Sequence, residues 1–346
     1  MNDQIIQMLP AENLSRFAGM YQWGIDVITV IQTIKSPALT AILKFVTALG
    51  TEAFYVPVIL FIFWWIDGRR GLGFGILIIL SAWLNSFMKD LLKQPRPFNL
   101  EPSLGLAHES SYGAPSGHAQ MSLTFWIPMA AWLSEKLKKK RAFIWTGAVF
   151  FILLIAFTRL YLGVHFPTDI FLGWILGGIV LAVWFIPGPR LQKLFASAGI
   201  RSQNICAAVI ALVMNGLHPA DRTLPALFLG FCVGYTLMRK RFPFFPWEGV
   251  GERKYNISMK VFRCIIGFSG LGIIFICLRL ILPGEESLFS NIPLWGQNSP
   301  FYELGRFVRY GLVGLWVSAG APLVFKREGS SLDANTAGGP GKEDPK

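Results

Sequence analysis

Residues 142–186 read AFIWTGAVFFILLIAF, then TRLYLGVHFP, then TDIFLGWILGGIVLAVWFI. Two apolar runs, Ala142–Phe157 and Thr168–Ile186, flank a short loop that holds Arg159, His165 and the helix-starting Pro167. A helix that crosses a bilayer needs about 20 apolar residues, with a range of roughly 17–25. The stretch therefore reads as two membrane passes joined by a polar loop. The same pattern recurs on both sides of it. Glu52–Ile66, Gly71–Lys89, Ala119–Ser134, Gln203–Leu217, Thr223–Met238, Val261–Leu282 and Leu304–Phe325 complete nine passes, several of them short. The fold class this predicts is all-α: a polytopic membrane helix bundle of about nine transmembrane helices.

Composition points the same way. Of 346 residues, 53% are hydrophobic and 15% charged, against globular averages of about 45–50% and about 25%. That excludes a disordered chain and a coiled coil. A net charge of +12 is the kind of excess an anionic polymer attracts, yet here the basic residues follow the topology. With nine passes, Asp67–Arg70, Glu135–Arg141, Pro187–Ser202, Arg239–Lys260 and the tail after Phe325 share one side and carry 20 Lys and Arg. The opposite loops, Asp90–His118, Thr158–Pro167, His218–Arg222 and Pro283–Glu303, carry 4. Cytoplasmic loops accumulate Lys and Arg, so the first side is expected in the cytoplasm, and a nucleic-acid partner is not. Cys206, Cys232, Cys264 and Cys277 lie singly in apolar runs, without disulfide or zinc spacing. The N-terminus lacks a basic stretch followed by an apolar core, so no cleaved signal peptide is read. Oligomeric state leaves no signature in the sequence.

The expected organisation has four parts. Residues 1–50 read as interfacial helices, Ile25–Ile34 and Ala38–Leu49, broken at Pro37. Residues 51–190 form the core, 191–328 add further transmembrane helices, and 329–346 read as a disordered tail. The glycines of Gly71–Gly75 are expected to permit close helix packing. FPFFPW at Phe242–Trp247 reads as an interfacial anchor. The loop Pro283–Glu303, with Phe289, Leu294, Trp295 and Phe301, reads as an anchor or a lid. Arg279, Arg306 and Arg309 are expected to pair with Glu285, Glu286 or Glu303, or to line a substrate entrance.

The candidate chemistry sits in two loops of the outer side. Lys89 ends the second pass, and Arg96-Pro97 follow seven residues on. Arg96 and Arg159 can grip phosphate oxygens bidentately, and three cations with Lys89 can offset charge on a phosphoryl group in transfer. Ser116 is a natural N-cap, Gly117 opens the helix behind it, and free N–H groups there bind anions. His118 follows about one turn in. His165 and Asp169 are four apart, so the carboxylate can hold one imidazole nitrogen and leave the other free to attack. Two histidines allow one nucleophile and one general acid. His108 and His218 match no such pattern.

Lys89-x6-Arg96-Pro97, Pro115-Ser116-Gly117-His118 and Arg159-x5-His165-x3-Asp169 together resemble the tripartite signature of the type 2 phosphatidic acid phosphatase (PAP2) superfamily. One position departs: Thr158 stands where the family usually has Ser, and the hydroxyl is kept. The resemblance implies a core like that shared with soluble haloperoxidases, and metal-independent, cofactor-free chemistry through a phosphohistidine. It implies His165 as nucleophile, Asp169 as its orienting partner and His118 as acid. It implies Lys89, Arg96, Ser116, Gly117 and Arg159 as phosphate holders. The nine-pass layout is similar to glucose-6-phosphatase, and Leu49–Tyr55 (LGTEAFY) resembles sphingosine-1-phosphate phosphatases. The expected function is hydrolysis of a lipid phosphate on the extracytoplasmic side, with membrane lipids around it, in a bacterial inner membrane facing periplasm or exterior. Alternatives are an undecaprenyl-diphosphate or sugar-phosphate phosphatase, or a phosphotransferase. Of a different class is a lipid-phosphate binder or transporter without turnover, which would not need His165 and Asp169 together.

Overall fold

The structure, a computed structural model, describes residues 17–241, 257–284, 287–289, 291–292, 295–296 and 299–325. Every regular element among these residues is a helix. It divides into two compact units, one of residues up to Ile59 with Gly73–Ala196, the other of Leu60–Leu72 with the chain from Ser197 onward.

The first unit opens with α1 (Ala18–Ile31), a 3-10 turn at Gln32–Ile34, and α2 (Pro37–Ala48), bent by 118° at the break. Pro37 fixes the break: the residue before a proline leaves the helical region, and Pro then starts the next helix. Ser36 is extended and its Oγ accepts the Leu39 N–H at 3.2 Å. The first of these helices starts seven residues earlier than the sequence suggested, because Tyr21 and Gly24 pack on Phe166. The hairpin is tied inward at its corner. Gln32, buried, donates through Nε2 to the carbonyls of Leu104 and Tyr161 at 2.9 and 2.8 Å, as buried amides require.

Along the chain next come α3 (Glu52–Phe61), a π-helical turn at Ile62–Ile66 that belongs to the second unit, α4 (Gly68–Leu92), whose first residues also do, and the short α5 (Pro97–Leu100). The bundle of this unit is built on α6 (Gly117–Lys136), α7 (Arg141–Tyr161) and α8 (Pro167–Phe185), followed in the chain by the largely exposed α9 (Gly188–Ser197). Gly173 brings α8 against the start of α6. A Cβ there would lie 2.6 Å from the Ser116 carbonyl oxygen and 3.3 Å from Ala119 Cβ. Gly163 turns the chain between α7 and α8. Its φ is +66°, and a Cβ would fall 1.9 Å from the Leu104 carbonyl oxygen, so only glycine fits. Leu43, Phe98, Tyr161, Leu162 and Val164 pack as one cluster beneath that turn.

The second unit contains α10 (Ile200–Leu217), α11 (Thr223–Arg241), α12 (Ile257–Ile281) and α13 (Tyr302–Leu315), the last running on through a π-helical turn at Trp316–Gly320. Gly230 of α11 meets the backbone of Gly311, where a Cβ would lie 1.9 Å from the carbonyl oxygen. Gly71, first of the glycines in Gly71–Gly75, packs on Phe63: a Cβ would lie 2.4 Å from its Cα.

Six helices are long and apolar enough to cross a membrane among the described residues, or seven if the bent pair counts as one span. Glu52–Ile66 and Thr223–Met238 are shorter apolar helices. The remaining predicted pass, in α6, is helical but does not qualify by composition. Its buried face carries Gln120, Ser122 and Thr124, each fully buried, so its polarity is turned to protein. The predicted readings of Phe242–Trp247, of residues 329–346, and of the chain before Phe17 lie outside the described residues, as do Glu285, Glu286 and Leu294.

Candidate active site

The site is assembled by segments whose ends converge in the first unit: the last turn of α4, the loop after it, the starts of α6 and α8, and the end of α7. Ser116 caps α6. Its Oγ accepts the Ala119 N–H at 3.4 Å, and its own N–H donates to the Asp169 carbonyl at 2.9 Å. The two helix starts are thereby stitched together. α6 begins at Gly117, so His118 is its second residue rather than a full turn inside. Pro167 opens α8, and Asp169 in its first turn accepts the Phe166 N–H at 2.9 Å. That contact aims the same oxygen, Oδ2, at His165 Nδ1, 3.3 Å away.

The basic residues surround that imidazole. Arg96, 1% exposed, donates through Nε to the Ser111 carbonyl at 2.7 Å and through Nη1 to the Val164 carbonyl at 2.8 Å. The same Nη1 lies 3.4 Å from His165 Nε2. Nη2 donates to Ser111 Oγ at 3.0 Å and to the Tyr112 carbonyl at 3.1 Å. Lys89 Nζ donates to the carbonyls of Tyr112 and Gly113, at 2.5 and 3.2 Å. Residues 111–113 thus hold both cations in place through backbone oxygens. Arg159 donates through Nη1 to Thr47 Oγ1 at 2.8 Å. Its Nε is buried without a partner, a condition native interiors rarely tolerate. Glu109 pairs with Arg96 and with Arg159.

The electrostatics follow from burial. His165, 1% exposed, has its pKa held well below the ordinary imidazole value, first by desolvation and then by the charges of Arg96, Lys89, Arg159 and His118. The ring is therefore neutral. With Nδ1 toward the Asp169 carboxylate, Nε2 carries the lone pair.

The eight residues singled out from the sequence fall in one unit, and contacts or charge link seven of them directly. Gly117 completes the set from below: a Cβ on it would lie 3.1 Å from Asn85 Oδ1. Asn85 had no signal as a motif residue, yet its Nδ2 donates to Gln120 Oε1 at 2.9 Å. Gln120 in turn donates to the Ser81 carbonyl at 2.9 Å, a buried polar ladder under the start of α6. Asn85 lies one turn before Lys89 on the same helix face, and that spacing was the available clue. Thr47, Glu109, Ser111 and Tyr112 were also missed. Thr158, the departing position, bonds back to the Ile155 carbonyl at 2.6 Å. His108 packs edge-on against Phe98, with ring centroids 5.1 Å apart. Arg306 and Arg309 belong to the second unit. There Arg306 pairs with Glu303 at 3.3 Å, and Arg309 donates to the Pro283 carbonyl at 3.3 Å. Trp295 of the loop read as an anchor or lid donates its indole N–H to the Ile281 carbonyl at 2.8 Å.

The structure thus sets the buried Arg96 and Arg159 and the half-buried Lys89 near a carboxylate-held imidazole in an all-α bundle. Comparison with known proteins gives the family. Residues 70–192 match the PAP2 superfamily, and residues 223–332 match the PAP2 superfamily phosphatase transmembrane extension. The chain is 32% identical to phosphatidylglycerophosphatase B of Bacillus subtilis, over 42% of this chain and 72% of that one. It is 27% identical to mouse sphingosine-1-phosphate phosphatase 2, over 51% of this chain, and it spans only 50% of that relative. It is 27% identical to undecaprenyl-diphosphatase of Sulfolobus acidocaldarius, over 45% of this chain and 73% of that one. The chain belongs to the PAP2 superfamily, whose relatives here are membrane lipid phosphatases.

Proposed function

We propose that this protein is a lipid phosphate phosphatase that works through a phosphohistidine on His165, without a resident metal. The observation that carries the reading is the cluster itself: two buried arginines and the half-buried Lys89 near one neutral imidazole, with the Arg159 Nε–H left without an acceptor. A phosphoryl oxygen supplies that acceptor. Lys89, Arg96 and Arg159 supply the positive charge that stabilises the transferring group, and the N–H groups at the start of α6, behind Ser116 and Gly117, supply further donors.

The steps follow from these roles. His165 Nε2 attacks phosphorus, and the bond from phosphorus to the lipid oxygen breaks. His118 gives its proton to that leaving oxygen. Asp169 holds the Nδ1 proton and stabilises the positive charge that develops on the ring. Water then attacks the phosphohistidine as His118 takes back a proton. The phosphorus–nitrogen bond breaks, and orthophosphate departs.

A lipid substrate suits a pocket built where helices end at the membrane surface, since the headgroup enters while the tails stay in the bilayer. The proposed location is a bacterial inner membrane with the loops 90–118 and 158–167 on the extracytoplasmic side of nine passes, a reading that the lysine and arginine bias supports. The proposed organisation keeps residues 51–190 as the phosphatase core, with 1–50 in the interface and 191–328 as added helices.

A panel of phosphatidate, lysophosphatidate, a sphingoid-base phosphate, phosphatidylglycerophosphate, undecaprenyl diphosphate and glucose 6-phosphate, assayed in detergent with chelator, tests this. Orthophosphate release from a lipid member of the panel is expected. Transfer of phosphate to an added alcohol in place of release would make the protein a phosphotransferase. Movement of lipid across vesicles without release would make it a transporter.

A further inference from the structure

The two arginines that would grip a phosphate already grip an anion of the protein's own. Glu109 sets Oε2 2.7 Å from Arg96 Nη2, and its Oε1 contacts Arg159 Nη2. The arginine side chains are 1% and 3% exposed, while that of Glu109 is 28% exposed. Glu109 therefore reaches into the pocket from its wet side. It stands on the loop before α6, with exposed His108 and Ser110 beside it, so its side chain has water to turn into. The other carboxylate at the site, Asp169, is committed to His165 and the Phe166 N–H. A carboxylate bridging two guanidiniums offers the same paired oxygens that a phosphoryl group offers. Two anions cannot occupy that seat together, because like charges in a poorly screened pocket repel strongly.

We propose, resting on the phosphatase reading above, that Glu109 is the resident counter-ion of the phosphate seat. It is a positioning residue. It keeps Arg96 and Arg159 in register while the seat is empty, yields to the incoming phosphoryl group, and returns to expel orthophosphate. Glu109 thus sets how tightly the pocket holds phosphate and how fast product leaves.

The test is calorimetric binding of orthophosphate to the purified full-length chain in detergent, for wild type, Glu109→Gln and Glu109→Ala. The same proteins are assayed for KM and kcat on the best lipid of the panel. Removing the competing charge should lower the orthophosphate Kd and the KM together, by about tenfold in both variants, while kcat falls because product lingers. A residue that only braced the loop would do the reverse, raising Kd and KM when removed. Unchanged, weaker or undetectable orthophosphate binding in the folded variants overturns the proposal, and the alanine variant decides if the glutamine one does not fold. The binding comparison needs no turnover. If wild type binds orthophosphate but releases none from any lipid, the phosphatase reading fails while Glu109 is still judged by Kd.

Discussion

At His165 the two ring nitrogens face different partners, and that asymmetry fixes the proposed chemistry. Nδ1 looks at Asp169 Oδ2 and Nε2 at Arg96 Nη1. Replacing Asp169 with Asn keeps the shape but can reverse the tautomer, so Asp169→Asn should lower kcat by roughly 10²–10⁴-fold with a smaller change in KM, by analogy with carboxylate-held imidazoles elsewhere. The low pKa of His165 gives a second expectation. A group whose pKa is depressed stays neutral as pH falls, so the nucleophile is not protonated until well below the ordinary imidazole value of about 6.5. The acid limb of kcat/KM should then lie below that value. A limb near it would show the ring to be in contact with water. Which residues were legible divides cleanly at this scale. Lys89, Arg96, Ser116, His118, Arg159, His165 and Asp169 were candidates in the sequence because they sit at short spacings around helix ends and match a family signature. Glu109 and Thr47 reach Arg159 across 50 and 112 residues of sequence, and no local spacing encodes a contact of that kind.

The helix starts at Ser116 and Pro167 were readable because caps and first-turn prolines have chemistry of their own. The bend before Pro37 was readable for the same reason. The earlier start of α1 was not, because it follows from packing of Tyr21 and Gly24 on Phe166. Nor did the apolar run of Glu52–Ile66 reveal that its last turn is π-helical. Two glycines translate these elements into site geometry. Gly173→Val would push the Ser116 carbonyl, which a Cβ would meet at 2.6 Å, and so would move the cap that places His118. A loss of at least tenfold in kcat is expected while the protein still purifies as a folded monodisperse species. Gly163→Ala forces a side chain into a left-handed turn and against the Leu104 carbonyl. It should destabilise the fold by about 1–3 kcal/mol or more, seen as a lower melting temperature in detergent. Unchanged melting would mean that the turn has another accessible shape.

Across the whole molecule, composition spoke to lipid and charge placement spoke to orientation. Among the described residues hydropathy alone qualifies six helices, or seven if the bent pair counts as one, and α6 falls short because it buries the polar Gln120, Ser122 and Thr124 against protein. The nine-pass orientation is therefore tested by access. A single cysteine at Ser103, in a background without the native four, should react with an impermeant maleimide on intact cells, and one at Lys139 only after permeabilisation. The reverse pattern would put the pocket in the cytoplasm and exclude substrates presented from outside.

The covalent step separates this mechanism most directly from every other use of the same pocket. Purified protein is mixed with substrate labelled in its terminal phosphate, quenched in alkali and digested for peptide mapping. The expected result is an acid-labile, alkali-stable phosphoryl group on the peptide holding His165, absent in His165→Ala, whose phosphate release falls at least 10³-fold. Label on another residue, or hydrolysis that survives in His165→Ala, would contradict the phosphohistidine route.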